Sequence, residues 1–273
     1  MRLTAPDALV LGALHGPAEL LPISSSGHVT LVPWLLRRPY PELAPDLRKA
    51  FEVALHAGTA AALLVASRRG HRSAQPSGLM GEAVVGLDSR RVVLLVGSFA
   101  PPALLGYRFE GPLERTFGTP GSIAGGLVLG SVAMLWVDGA PQERRREEAG
   151  LVDALCLGFA QASALVPGVS RNGATLVAAR ARRFRREDAN ALSRHVALPI
   201  IAGATLLKVV RLRRRGLPRE LWAPFALGAG ASFLSTLGST WLITQVERDR
   251  SLAPYALYRL GLAAAVLHRL RRP

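Results

Sequence analysis

Cysteine is nearly absent from this chain of 273 residues: Cys156 is the only one. A single thiol excludes a disulfide framework, and any cysteine-built metal cage, within one chain. Cys156 lies in an apolar run, where a thiol acts as a small buried hydrophobe. Acidic residues are also scarce, 19 against 34 basic ones, nearly all arginine. Charge of either sign is missing over long stretches: Val92–Tyr107, Gly121–Val137, Ala154–Ser170 and Leu221–Thr244 contain no Asp, Glu, Lys or Arg. A helix crossing a bilayer needs about 20 predominantly apolar residues, with a range of roughly 17–25. One of these runs meets that length and the others sit near its lower edge. So many uncharged blocks do not fit a soluble protein of this size, and they predict a polytopic membrane protein.

The arginines gather between the blocks, at Arg68, Arg69 and Arg72, Arg144–Arg146, Arg180–Arg186, Arg211–Arg215 and Arg269–Arg272. A net charge of +15 is compatible with nucleic-acid binding. Basic loops flanking apolar blocks are better explained by anionic headgroups, so the expected partners are membrane lipids and no nucleic acid. The clusters follow too many successive blocks for simple alternation across a membrane. Some blocks are therefore expected to be hairpins or re-entrant segments, and charge alone leaves the orientation open. Met1–Asp7 lacks a signal-peptide pattern, so the first apolar run is expected to be retained. The polar, glycine-containing segment Arg68–Arg91 is expected to be an exposed loop.

The first block, Ala8–Leu36, is interrupted by Gly16-Pro17, Pro22 and Gly27. A later block, Leu155–Ala179, is interrupted by Pro167-Gly168 and Gly173. Residues 12–25 resemble residues 158–170 with a one-residue gap, and the following segments, residues 53–60 and 196–205, also match. This predicts a single membrane domain over residues 1–273 with repeat halves near 1–140 and 150–273. Paired interrupted segments in corresponding halves point to a binding site at the repeat interface. Backbone groups freed at a break are tolerated at membrane depth only where protein or a wet cavity satisfies them. A helix restarting after a break aims its N–H groups and positive dipole end into that space, an arrangement suited to phosphate. The two breaks, at Ser24–His28 and Ser170–Gly173, are expected to face each other.

These breaks carry the polar chemistry. Glu19 stands alone in an uncharged run, and ionisable residues inside membranes are usually functional. His28 follows Ser24, Ser25 and Ser26. Its imidazole can act as nucleophile or general acid and base near neutral pH. One or more of the serines is expected to cap the restarting helix, and the others can bind phosphate oxygens or supply a nucleophile. In the second break, Arg171 sits between Ser170 and Asn172, with Thr175 four residues on. Arginine presents a planar fork matched to phosphate oxygens. Arg180–Arg186 are expected to reach out to the membrane edge. A carboxylate, an imidazole, hydroxyls, one arginine and two helix N-termini suit phosphoryl transfer, where positioning and charge stabilisation do most of the work. The competing class is a transporter or lipid flippase, since broken helices in repeated halves also serve transport; it has no need of a nucleophile.

The segment Glu19–His28 resembles the E-x-L-P-I-S-S-[ST]-G-H signature of the bacterial undecaprenyl-diphosphatase family, the bacitracin-resistance type. Pro167–Thr175 resembles its P-G-x-S-R-[SN]-G-[AS]-T signature. The likeness continues through Phe51–Leu64, Ala189–Leu207 and Tyr255–Leu262. It implies hydrolysis of undecaprenyl diphosphate to undecaprenyl phosphate and phosphate, recycling the lipid carrier for cell-wall synthesis. The implied fold is an all-α polytopic integral membrane protein with an inverted-topology repeat and two re-entrant helix-loop elements. The implied setting is the bacterial inner membrane, with the site open to the extracytoplasmic side, and a homodimer is compatible with it. The residues carried over are Glu19, Ser25, His28 and Arg171 for catalysis, and Ser24, Ser26, Ser170, Arg171 and Thr175 for binding phosphate. The family has Glu or Gln four residues before the motif glutamate, a position linked to dependence on a divalent cation, Mg2+ or Ca2+. This chain has His15 there, so Glu19 and His15 are the expected metal ligands, with Glu52 and His56 behind them.

Overall fold

The computed structural model describes residues 3–70, 89–216, 218–248 and 251–272, and these are helical with no strand among them. The helices are α1 (Ala5–Leu20), α2 (Ser25–Leu35), α3 (Pro45–Gly70), α4 (Ser89–Phe117), α5 (Pro120–Asp138), α6 (Leu151–Ser163), α7 (Arg171–Ala181), α8 (Arg186–Arg215), α9 (Arg219–Gly238), α10 (Trp241–Arg248) and α11 (Ala253–Leu270). Among the described residues, four stretches are long and apolar enough to cross a membrane: Pro45–Ala66 in α3, and α4, α5 and α9. Large apolar side chains stand on their outer faces, with Leu104, Leu129, Trp136, Trp222 and Leu234 all more than 60% exposed. In water such surfaces aggregate; in lipid they are the solvated face. The protein is an all-α, multi-pass membrane protein.

Helix starts follow local chemistry. The Thr4 hydroxyl accepts from the Asp7 amide at 3.2 Å and donates to the Asp7 carboxylate at 2.7 Å, opening α1. Thr119 caps α5 through the Ser122 amide, with Pro120 in the first turn. Asp153 in the first turn of α6 accepts from the Gly150 amide at 2.9 Å. The bonds from the Asp7, Ser122 and Gly150 amides each satisfy a donor that a helix start leaves without an intrahelical partner.

The chain divides into two compact units. The first comprises α1, α2 from His28 onward, α3, the later part of α8, and α9. Its core is built from Ala8, Leu11, Val29, Tyr40, Phe51, Leu55 and Phe225. Helix α9 packs on both α1 and α3. The approach is close enough that a Cβ at Gly12 would collide with the Gly228 carbonyl, and one at Gly58 with the Ala229 carbonyl. Small residues at such contacts let backbones meet where lipid provides no hydrophobic drive between helices.

The second unit comprises Leu21–Gly27, α4 through Pro199, the last part of α10, and α11. Helix α4 packs on α6, α5 on α11, and α7 on both α5 and α6, around Met134, Leu157, Leu176, Phe184, Leu192 and Ala256. Two carboxylates tie its ends. Asp153 accepts both Arg144 nitrogens, at 2.9 and 2.8 Å, and Arg182 Nε at 2.7 Å. Asp138 accepts from Arg186 at 2.9 Å, the Ser251 hydroxyl at 2.6 Å and the Leu252 amide at 2.7 Å.

Several expectations need correction. Arg180–Arg186 do not as a group reach toward headgroups. Arg180 is buried, with its guanidinium on the carbonyls of Ala140, Pro141 and Phe184, while Arg182 and Arg186 are ion-paired. Carbonyls left at turns and helix ends are what these side chains satisfy. Gly16-Pro17 does not interrupt the first block, because α1 runs through it to Leu20. Proline costs that helix one hydrogen bond, and Gly16 lies so close to Ser235 and Thr236 of α9 that a Cβ would not fit. Gly27 and Gly173 likewise fall inside helices. The run Leu221–Thr244 is not one span, since α9 ends at Gly238 and α10 begins at Trp241. Of the loop expected over Arg68–Arg91, Arg68–Gly70 close α3 and Ser89–Arg91 open α4; the rest lies outside the described residues.

Candidate functional site

The two motif segments have parallel local structures. In the first, α1 ends at Leu20, a turn through Pro22 follows, and the 11-residue helix α2 starts at Ser25. In the second, α6 ends at Ser163, a turn through Pro167-Gly168 follows, and the 11-residue helix α7 starts at Arg171. Each restarting helix is capped by a serine just before it. Ser24 Oγ accepts from the Gly27 amide at 3.3 Å and Ser170 Oγ from the Gly173 amide at 3.1 Å. Both hydroxyls are buried and engaged as caps, so shaping the turns is what this geometry gives Ser24 and Ser170. Ser24 does so at a φ of 76°, a region costly for any residue with a Cβ.

The breaks meet within the second unit, and Arg259 joins them. This arginine is 1% exposed. Its Nη1 donates to the Pro22 carbonyl at 3.2 Å, and its Nη2 to the carbonyls of Gly168 at 3.3 Å, Leu127 at 3.3 Å and Gly126 at 3.4 Å. One guanidinium thus satisfies carbonyls of both turns and of α5 between them. Gly130 and Gly173 leave the room for it, because a Cβ at either would press on the guanidinium. Sequence reasoning placed Arg259 within a stretch of likeness, Tyr255–Leu262, but gave it no role.

Arg171 is the first residue of α7 and is half-buried. Asn172 follows, its side-chain carbonyl accepting from Ser193 Oγ at 3.0 Å. Thr175 is fully buried. Its hydroxyl bonds the Arg171 and Asn172 carbonyls, both at 3.0 Å, and Ser193 Oγ at 2.5 Å. Thr175 is therefore a brace behind the first turn of α7 rather than a hydroxyl presented to phosphate. In the first break, Ser25 and His28 are buried on the first turns of α2, while Ser26 is half-buried beside Ser24 Oγ at 3.5 Å.

Glu19 lies with His15 and His56 in the first unit. His15 and Glu19 are one turn apart on α1, and His56 projects from α3. One ligand atom from each lies within 4.8 Å of the others. The two imidazoles meet edge to face at 4.6 Å between centroids, and His56 Nε2 is 3.8 Å from Glu19 Oε2. His15 Nε2 is buried and has no hydrogen-bond partner. An orphaned nitrogen beside a carboxylate and a second imidazole fits a cation. The expected pair His15 and Glu19 thus gains His56 as a direct neighbour. Glu52 acts behind it through its backbone carbonyl, which accepts from His56 Nδ1 at 2.8 Å.

Gly168 offers a local test of the second break. Its φ is +93°, and a Cβ there would run into the Ile123 carbonyl of α5. Gly168→Ala is expected to destabilise the protein by about 1–3 kcal/mol, from strain in a conformation that favours glycine together with the collision. The check is a lower unfolding temperature in detergent than for Gly139→Ala, where a Cβ meets nothing within 4 Å.

Over residues 8–265 the sequence matches the family described as bacitracin resistance protein BacA. Relatives named undecaprenyl-diphosphatase are similar along nearly their whole length. One from Geobacter sulfurreducens is 39% identical over 269 residues, covering 95% of this chain and 96% of its own. One from Rubrobacter xylanophilus is 36% identical over 266 residues, covering 95% and 96%. One from Pelotomaculum thermopropionicum is 34% identical over 273 residues, covering 99% of each.

Proposed function

The chain belongs to the bacitracin resistance protein BacA family, and we infer that it is an enzyme hydrolysing undecaprenyl diphosphate to undecaprenyl phosphate and inorganic phosphate. The observation that carries the reading furthest is the pair of motif-bearing turns held on one buried guanidinium, each followed by a serine-capped helix. Helix starts of this kind favour bound anions. A transporter or flippase has no support in the names of the relatives.

In this reading Arg171, with the first turns of α2 and α7, holds the diphosphate. Its planar fork matches two phosphoryl oxygens and opposes the charge that grows on them as the anhydride breaks. The terminal phosphorus is attacked by a nucleophile that His28 or Ser25 supplies or activates. The P–O bond to the inner phosphate breaks, and undecaprenyl phosphate leaves with the electron pair. Water supplies the oxygen that ends in inorganic phosphate, either as the attacking group deprotonated by His28 or by then displacing the phosphoryl group from Ser25 or His28, and its proton passes to solvent. Ser26, half-buried in the first turn of α2, is the hydroxyl assigned to phosphate oxygens in this reading. Ser24, Ser170 and Thr175 fix the two turns. Glu19 and His15 are the residues to hold a divalent cation, which would supply Lewis-acid chemistry when bound. The setting proposed is the bacterial inner membrane, with the site open to the extracytoplasmic side.

The test is phosphate release from a polyprenyl diphosphate by the purified protein in detergent, with no ion gradient present. Steady release that is lost in His28→Ala supports the reading. No release above a heat-inactivated control sinks it.

A further inference from the structure

The hydrogen bonds around the His15–Glu19–His56 group fix where its protons sit. The Ser232 hydroxyl donates to the Leu55 carbonyl at 2.9 Å, so it turns only lone pairs toward His15 Nδ1, 3.3 Å away. Thr59 Oγ1 lies 3.0 Å from the same nitrogen and 2.9 Å from Ser232 Oγ. A hydrogen on Nδ1 serves both hydroxyl oxygens and leaves the Thr59 hydrogen for Ser232 or Thr236. With a bare Nδ1 the Thr59 hydrogen would turn to it, and the Ser232 oxygen would face lone pairs on both Nδ1 and Thr59 Oγ1. The neutral imidazole of His15 therefore carries its free lone pair on Nε2, the atom that is buried without a partner. His56 repeats the pattern, because its Nδ1 faces the Glu52 carbonyl at 2.8 Å. A carbonyl can only accept, so the neutral His56 also presents its lone pair from Nε2, toward Glu19.

Two imidazole lone pairs and a carboxylate thus converge, and their protons are held on the far sides of the rings. That is how metal-binding histidines are arranged, with the second ring nitrogen donating to an oxygen that fixes tautomer and orientation. The donor set also selects among ions. Mg2+ and Ca2+ are bound by oxygen atoms. Two imidazoles and one carboxylate with positions left open are a set found at catalytic zinc sites, and imidazole suits the first-row divalent ions. His56 is 32% exposed, against 8% for Glu19, so one side of the group remains open.

We propose that His15, Glu19 and His56 form a binding site for a first-row divalent ion of the Zn2+ class, in preference to Mg2+ and Ca2+. The position of His15, where the first motif's resemblance has an oxygen ligand, changes the ion this chain takes. Any part the ion has in phosphate release rests on the phosphatase reading; the ion preference does not.

The experiment uses the full chain in detergent, stripped with chelator, with Zn2+, Mg2+ and Ca2+ affinities measured by competition against a chromophoric chelator. One Zn2+ per chain is expected, bound tighter than Mg2+ by about three orders of magnitude or more. His15→Ala and His56→Ala are each expected to weaken Zn2+ binding by roughly 100-fold. His15→Glu should narrow the preference for Zn2+ over Mg2+. Comparable affinities for the three ions, or Zn2+ binding unchanged in both alanine variants, overturn the proposal. A measurement on the intact chain decides if the variants do not fold. Co2+ should give the intense visible bands of a nitrogen-ligated ion of low coordination number, and a weak six-coordinate spectrum overturns the site. Phosphate release on the same preparation separates the two readings. Zn2+ bound through the histidines without hydrolysis removes the enzymatic reading and leaves the metal site standing.

Discussion

Arg171→Ala is expected to lower phosphate release by about three orders of magnitude, the scale seen when an arginine facing a transferring phosphoryl group is removed. The loss should fall mainly on kcat, because the charge that Arg171 opposes is greatest as the anhydride breaks. Arg171→Lys should recover only part of it, since an ammonium keeps the charge and loses the two-pronged fork. The fold should persist. The start of α7 is capped by Ser170 and braced by Thr175, and neither bond uses the Arg171 side chain. Full activity in a folded Arg171→Ala protein would remove this residue from the mechanism.

Arg259→Ala should do wider damage by a different route. Its guanidinium serves four carbonyls, at Pro22, Gly126, Leu127 and Gly168. A buried acceptor left without its donor costs about 1–3 kcal/mol, and the turn carbonyls of Pro22 and Gly168 lose theirs together, whereas Gly126 and Leu127 lie inside α5 and Leu127 keeps the Ser131 hydroxyl. The expected outcome is a markedly lower unfolding temperature and loss of phosphate release. Amide exchange should rise in parallel at the two breaks, residues 22–27 and 167–173. Parallel exchange is the telling readout, because Arg259 acts as a positioning residue for both turns at once. Arg259→Lys should recover little, as three donors on one nitrogen cannot span carbonyls on separate segments. Faster exchange at one break with the other unchanged would contradict the shared anchor.

How much of this was legible in the sequence follows from what each residue does. Runs without charge mark apolar helices directly, so α5 matches the run Gly121–Val137 closely. The two breaks were legible because proline, glycine and serine shape turns and caps by themselves. Partnership across the fold was not. Arg180 and Arg259 look alike on paper, each an arginine beside apolar residues, and both prove to be anchors for carbonyls far away in sequence. No local pattern states which carbonyls lack a donor. Thr175 looked like a phosphate ligand because it stands one turn from Arg171, and its hydroxyl faces Ser193 instead. His56 lies 37 positions beyond Glu19, and only the packing of α1 and α3 brings it in. Gly16-Pro17 read as a break because those residue types usually end helices. Here the glycine serves a close approach to α9.

The glycine contacts on α9 bear on how the histidine group responds to strain. With no Cβ between backbones at Gly12, Gly16 and Gly58, α1 and α3 are each brought to backbone contact with one rod. Their ligands move as points on a stiff frame rather than as tips of independent levers. The distance between the His15 and His56 nitrogens is then a property of backbone contact, and it tolerates little drift with temperature or with the lateral pressure of the surrounding lipid. A methyl group added at Gly58, outside the ligand set and one residue pair along α3 from His56, would act as a wedge that spreads this frame.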